Sequence, residues 1–477
     1  MISDNYSIKE TFEGGGMSIV HRARHRFWNI DVALKYPRRE MLSKTSIAQF
    51  QEECNLWSKI GLHPYIATCY YYCLNNDEFF VAAEFLEKGS LADNIANRNL
   101  YIGSESFVLS RLLTIALSSA YGLEMSHKSG LLHCDIKPGN LLMTTDGAVK
   151  IADFGLAAFV DDFLKSAKPH GLTVAYASPE QIRGQSLTSE SDVWSWAASM
   201  LSMFMGGCVW NNGAACGAVL KSYVENGGKE YRIPVMPSAF VRLLSNCFQF
   251  SKSNRPSDFA KIADEIQQIY IEIFNEPCSA ERPDLNLFSA DSLNNRAVSC
   301  YDLSDLPEAS SLLREALAID NYHPEANFNA ALLHYENESI PNISYVNNLE
   351  NCARYDSGNF RPWLYLACLH NLNDNTHEAT RCLAKAFHLA SSLEQSEIRF
   401  KWDSSLQKKS FLTHATPISG EDFAHNSARF QRLMIKSEQA IKNGLLCDAR
   451  RYLLMSGDIP GFARHPQRTR LLHLSES

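Results

Sequence analysis

From Tyr6 to about Val81, short runs of β-branched and aromatic residues alternate with turn residues, and one stretch of helical spacing, about Ser46 to Ile60, interrupts them. This pattern predicts a small sheet carrying a single helix. From "SLADNIANRN" to about Phe274, apolar residues recur at spacings of three and four, as in "RLLTIALSSAYGLEMSH" and "FVRLLSNCFQF". That period predicts a larger, mainly helical lobe. The segment "NEPCSAERPDLN", with two prolines and charges of both signs, reads as a linker over residues 276–288.

A different organisation follows. "LNNRAVSCYDL" and "ANFNAALLHYE" align at a period of 34 residues, setting Asn295 against Asn329 and Ala297 against Ala331, and "WLYLACLHNL" places Ala367 a further 36 residues on. "EASSLLREALAID" and "HEATRCLAKAFHLA" supply second helices. This resembles tetratricopeptide-like repeats, whose small residues let paired helices approach closely, and the resemblance implies an all-α repeat domain over 289–390 that binds a protein or peptide partner. Periodicity weakens afterwards, so 391–420 reads as an irregular connector and 421–477 as a helical hairpin around Gly444 with a solvated tail.

Composition narrows the class. A chain of 477 residues with 45% hydrophobic and 21% charged residues can form two or three globular domains. The net charge of -8 comes without a basic block, which argues against nucleic acid as a partner. The thirteen cysteines form no C-x-x-C pair and the N-terminus has no apolar signal core, so free thiols in a reducing cytoplasm are expected. No apolar run in the sequence approaches the about 18 residues that cross a bilayer. "WSWAASMLSMFMGGCVW" comes nearest and reads as a buried helix, so no membrane span is expected. His127 and His170 have no metal-ligand spacing around them, and Cys69 and Cys73 read as core.

Phosphoryl transfer needs a cover for the phosphates, a cation on them, metal ligands, and a carboxylate that orients the attacking hydroxyl. Candidates for each occur in order. "FEGGGMSIVHRARH" precedes "VALK"; "FQEECNLWSKIGLHPYI" supplies acids on a helix; "HCDIKPGN" is followed by "DFG" eighteen residues after Asp135; "SPE" and "NRP" come later. Together these motifs make residues 6–274 resemble a eukaryotic-type Ser/Thr protein kinase domain of the bacterial branch. The resemblance implies a two-lobed α+β fold over 1–275, with a small lobe at about 1–83 and a large lobe at about 87–275, using ATP and Mg2+, with Mn2+ as an alternative.

It also implies roles. Phe12, Gly14, Gly15, Gly16, Val20 and Ala33 would cover the nucleotide, although Glu13 and Ser18 stand where the family pattern has glycine. Lys35 would reach the α- and β-phosphates and pair with Glu53, preferred over its neighbour Glu52. Asp135 would orient the substrate hydroxyl, Lys137 would neutralise the γ-phosphate, and Asn140 and Asp153 would hold the metal. Glu84 and Leu86 would offer hinge backbone groups to adenine, with Leu142 as its floor and Ala83 as a small residue gating the space behind. Thr173 favours serine or threonine acceptors, Glu180 would pair with Arg255, and Asp192 would anchor the catalytic-loop backbone.

Cys134 replaces the family's arginine before the catalytic aspartate. That arginine binds activation-loop phosphate, so its loss predicts a kinase whose loop orders without phosphorylation at Ser166, and a buried, unreactive thiol. The expected function is a cytoplasmic Ser/Thr protein kinase acting on a protein substrate. The alternative is a pseudokinase scaffold that binds nucleotide and recruits partners through its repeats.

Overall fold

The computed structural model describes residues 6–12, 18–37, 54–75, 78–154, 158–159, 173–228, 233–283, 289–338, 343–392 and 394–406, with single residues at 413, 433, 434, 437, 453 and 471. Strands β1 (Tyr6–Phe12), β2 (Ser18–His25), β3 (Ile30–Pro37), β4 (Cys69–Asn75) and β5 (Glu78–Glu84) form one antiparallel sheet in the order β1-β2-β3-β5-β4. Alternation in β3 sends Val32, Leu34 and Tyr36 into an aromatic cluster with Trp28, Tyr70, Tyr71 and Phe80. Side chains two residues apart share a face, so Ala33 and Lys35 turn to the other side of the sheet.

Asp31 ties three strands together, accepting from Lys9, Arg22 and Arg24 at 2.7, 2.7 and 3.1 Å. Desolvation alone would raise its carboxyl, but these cations hold it down at about 2. A carboxyl depressed in the folded state adds stability above its unfolded value and loses it as pH falls through the folded one. Asp31→Asn should therefore lower stability to denaturant at pH 5, with the gap from wild type closing as pH approaches 2; a gap that is constant across this range would exclude the charge effect.

The large lobe contains α1 (Leu91–Ala96), α2 (Glu105–Lys128), the short α3 (Pro179–Ile182), α4 (Ser189–Phe204), α5 (Cys216–Glu225), α6 (Ser238–Cys247) and α7 (Phe259–Phe274). A box between Ser90 and Asp93 caps α1, and Ser104 caps α2. Contrary to the sequence expectation, α2 is long and apolar enough to cross a membrane, and 72% of its most apolar window is buried inside the fold. Ordinary polar residues dilute its apolar run in the sequence, yet Ser118, Ser119 and Ser126 satisfy their hydroxyls on nearby carbonyls and so enter the core. Gly122 lets α2 approach the segment leading to the sheet, since a Cβ there would lie 2.6 Å from Tyr65 O. Two small strand pairs, β6 (Leu131–Leu132) with β9 (Ala158–Phe159) and β7 (Leu141–Met143) with β8 (Val149–Ile151), flank the catalytic-loop sequence.

The expected linker is partly a docked strap. Cys278 and Ala280 are buried in the large-lobe core, Tyr65 donates to Glu281 O at 3.0 Å, and Arg282 bridges Glu124 and Asp264 while lying over Tyr121. Its prolines and charges suggested a tether, but apolar residues between them supply the anchor.

Beyond it, α8 (Ala290–Asp302), α9 (Leu306–Ile319), α10 (Pro324–Glu338), α11 (Ile343–Tyr355), α12 (Phe360–Leu372) and α13 (Thr376–Leu389) stack in sequence as three helix pairs. Ala297, Ala331 and Ala367 are fully buried. Residues 394–406, expected to be irregular, form helix α14 (Glu394–Leu406) against α12 and α13. Its amphipathic stripe is faint, but Ser391 and Glu394 form a box at its start, a signature present in "SSLE". The expected hairpin around Gly444 lies outside the described residues.

The helical region rests on the small lobe. Helix α8 packs on β4, where Tyr72 N donates to Ser299 Oγ at 3.2 Å. Phe400 of α14 meets Phe27 at the β2–β3 turn, with ring centroids 5.9 Å apart.

Candidate active site

Antiparallel register aligns the expected nucleotide-facing residues. Phe12 lies opposite Val20, Val20 opposite Lys35, and Ala33 opposite Ala83. Phe12 also stacks on Phe85 at the end of β5, and Leu142 on β7 packs at the edge of the large-lobe core. Gly14, Gly15, Gly16, Glu52, Glu53 and Ser166 lie outside the described residues.

Lys35 Nζ contacts Asp153 Oδ1 at 2.7 Å across the cleft. Desolvation alone would raise the Asp153 carboxyl; Lys35 outweighs it and holds the group below its ordinary value. Asp153 has φ +64°, a left-handed conformation held by its surroundings. Phe154, immediately after it, is fully buried between His133 and Trp57, at centroid distances of 4.7 and 6.1 Å. These rings join the loop carrying Asp153 to the small-lobe helical turn at 54–59.

Lys137 Nζ bridges Asp135 Oδ2 at 2.7 Å and Thr173 Oγ1 at 2.8 Å. Asn140 Nδ2 donates to Asp135 O at 2.8 Å and to Asp135 Oδ2 at 3.2 Å. With Nδ2 committed there, Asn140 offers its Oδ1 as a ligand. That oxygen and the ionised Asp153 carboxylate are the hard donors a magnesium ion takes.

Asp192, near the start of α4, is fully buried and accepts from His133 N at 2.9 Å, Cys134 N at 2.8 Å and His127 Nε2 at 2.8 Å. Burial would raise its carboxyl, and these partners bring it below its usual range. The anchor assigned to Asp192 from the sequence is therefore present, and the bonds to successive amides hold Cys134 at φ +64°. The Cys134 thiol is buried beside Leu132 and Leu187, and desolvation pushes its pKa up. It is an inert packing group, in keeping with the sequence reading.

Part of the hinge backbone is bonded within the protein. Glu84 N donates to Thr68 O at 2.9 Å, so this amide is spent inside the protein, while its side chain accepts from Lys150 Nζ at 2.6 Å and Thr68 N at 3.1 Å. Leu86 O accepts from Gly89 N at 3.4 Å. The cause is the neighbouring strand: β4 begins at Cys69, so Thr68 reaches the end of β5.

Glu180 and Arg255 form a bidentate pair at 2.7 and 3.0 Å, with Ser191 Oγ on the same carboxylate at 2.8 Å. Sequence reading missed Gln181, whose Nε2 donates to Cys134 O at 2.7 Å. The glutamine of "SPEQ" was visible as a motif letter, but its partner lies 47 residues earlier. It also missed the Lys150–Glu84 pair and the role of His127.

A five-stranded sheet over a helical lobe, with two lysines and two aspartates converging in the cleft, is the two-lobed kinase arrangement. The chain belongs to the protein kinase domain family, whose pattern matches residues 6–271. It is 28% identical over 300 residues, 58% of this chain, to serine/threonine-protein kinase A of Synechocystis. It is 26% identical over 275 residues, 56% of this chain, to a probable serine/threonine-protein kinase, CPE1738, of Clostridium perfringens. To serine/threonine-protein kinase PknB of Mycolicibacterium smegmatis it is 29% identical over 213 residues, 43% of this chain. The matches span 56, 39 and 33% of those relatives' own lengths.

Proposed function

We propose that the chain is a Ser/Thr protein kinase that transfers the γ-phosphoryl group of ATP to serine or threonine hydroxyls of a protein substrate. The observation that carries this reading is Lys137 bridging Asp135 and Thr173, with the Lys35–Asp153 pair facing the same cleft. In the transfer, the substrate oxygen bonds to the γ-phosphorus, the bond to ADP breaks, and the hydroxyl proton passes to Asp135. Asn140 and Asp153 would hold magnesium, which when bound neutralises charge on the phosphates. Lys137 would stabilise the transferring group, and Lys35 would orient the phosphates upstream of it.

The helical region supports a second element of the reading, recruitment of a protein or peptide partner by tetratricopeptide-like pairs. Its Ala297, Ala331 and Ala367 positions favour this. Cytoplasmic residence is proposed from the sequence, whose thirteen cysteines form no C-x-x-C pair.

The test is transfer from labelled ATP with magnesium to the chain itself and to a generic basic protein. Label on serine or threonine supports the reading; nucleotide binding without transfer would instead make the chain a scaffold. Ala83, buried beside the hinge, tests the nucleotide pose. Adenine analogues with a bulky N6 substituent should inhibit wild type, and Ala83→Phe should abolish that inhibition while leaving the Km for ATP within a few-fold. Equal inhibition of both proteins would contradict this placement.

A further inference from the structure

The turn between α12 and α13 brings together three side chains of metal-binding type. Asn375 N donates to His370 O at 2.9 Å, Asp374 takes φ +55°, and Asn375 caps α13, so the chain reverses tightly. His370 thereby stands in the last turn of α12, beside the first turns of α13. Glu378 and Cys382 lie one helical turn apart on α13 and so share a face. The His370 ring, the Glu378 carboxylate and the Cys382 thiol each offer one ligand atom, all within 4.8 Å of one another.

Two of the three are uncommitted. Neither the half-buried His370 imidazole nor the Cys382 thiol, 1% exposed, has a hydrogen-bond partner among the described residues. Glu378 is shared: its Oε2 accepts from Arg381 Nε at 2.8 Å, and its Oε1 lies 3.4 Å from His377 Nδ1. A carboxylate has about four lone-pair sites, and both of these partners are exposed, so the contacts are weak and leave room for a cation. Glu350 on α11 adds negative charge that acts on both His370 and Cys382, while Lys385 is drawn over the Trp363 ring, 4.0 Å from its centroid.

The first helix pair shows what packing alone asks of this turn. There α8 and α9 join by the same reversal, with Asp305 N donating to Cys300 O at 2.8 Å and Asp305 capping α9. Cys300, Glu308 and Leu312 occupy the places of His370, Glu378 and Cys382. Leu312 is buried like Cys382 and can hold no metal, and Glu308 accepts from Arg296 at 2.8 Å. Close packing of the turn therefore needs neither the imidazole nor the second thiol of the third pair.

Thiolate sulfur, imidazole nitrogen and carboxylate oxygen are donors that zinc takes. Ligand atoms about 2.0–2.3 Å from a tetrahedral ion stand about 3.5 Å from one another, a closure that side-chain torsions at His370 and Glu378 supply. We propose that His370, Glu378 and Cys382 bind a zinc ion, with water in the fourth position, that pins the end of α12 to α13. On binding, the sulfur–zinc bond forms and the thiol proton leaves to water. Burial raises that thiol and lowers the imidazole, so the ring presents a free lone pair to the ion. Helix α14 packs on both pinned helices, so the ion also fixes its platform.

The experiment uses the full chain without an affinity tag, stripped with a chelator, kept reduced and titrated with Co2+ as a spectroscopic stand-in for zinc. Wild type should develop a thiolate-to-cobalt charge-transfer band and the visible bands of a tetrahedral site, saturating at one ion per chain and bleached by one equivalent of zinc. Cobalt on Asn140 and Asp153 would have oxygen ligands and give no thiolate band. Cys382→Ser should lose that band. His370→Ala should weaken cobalt binding by more than the about 10- to 100-fold that a residue merely supporting a ligand costs. Should Cys382→Ser fail to fold, His370→Ala decides, since its half-buried ring faces the turn rather than the core. A wild-type chain without the band would overturn the site, as would a band unchanged in Cys382→Ser or wild-type cobalt affinity in His370→Ala.

Discussion

Asp135→Asn should lower phosphoryl transfer by about 10²- to 10⁴-fold, the range of general-base contributions, while nucleotide binding stays near wild type. Asparagine keeps the shape and can still accept from Asn140 and Lys137, so the loop geometry in which Asp135 sits should persist. It loses the carboxylate that takes the substrate proton and the negative charge that holds Lys137 Nζ 2.7 Å away. Lys137 would then have only neutral partners in these two, the amide oxygen at 135 and Thr173 Oγ1 at 2.8 Å. The expected signature is a fall in kcat with little change in the Km for ATP, because Lys35 and Asp153 act on the nucleotide from the other side of the cleft. Wild-type turnover in Asp135→Asn would remove Asp135 from the chemistry.

Parts of this site were legible because their chemistry is local. "HCDIKPGN" sets Asp135, Lys137 and Asn140 within six residues, and the short strands β7 and β8 bring Asp153 back beside them. The pairing of Glu180 with Arg255 spans 75 residues and was still readable, since both ends carry short motifs. Gln181 was not, because its partner is a backbone carbonyl, which leaves no trace in sequence. The strap at 276–283 was misread for a similar reason: two buried small side chains, Cys278 and Ala280, outweigh the prolines around them. Helix α14 escaped because most of its face is solvated, leaving Ile398 and the ion-paired Glu397 as its buried contacts. The bonds of Thr413 N and O to Asn329 and of Thr413 O to Asn294 were beyond reach altogether, since those asparagines lie 84 and 119 residues earlier.

Arg255→Ala should destabilise the large lobe by about 3–5 kcal/mol, the cost of breaking a buried ion pair from one side. All five of its N–H groups are bonded: two reach Glu180, and the others serve Gln249 O, Glu190 O and Phe250 O. The guanidinium also lies over the Trp194 ring, 4.8 Å from its centroid. Truncation would strand the Glu180 carboxylate, which Arg255 now holds below its ordinary pKa against desolvation, leaving it the Ser191 hydroxyl. A stranded buried carboxylate should protonate, so the variant should lose less stability at pH 5 than at pH 8 when unfolded by urea. Adding Glu180→Gln removes that charge and should recover part of the loss, giving a coupling energy that surface pairs do not show. Activity should fall along with stability, because Glu180 lies beside Gln181, and Gln181 Nε2 holds Cys134 O one residue before Asp135. If the double variant is as unstable as the sum of the singles, the pair acts through packing alone, and the link from α3 to the catalytic loop must be carried by Gln181 and Asp192 without it.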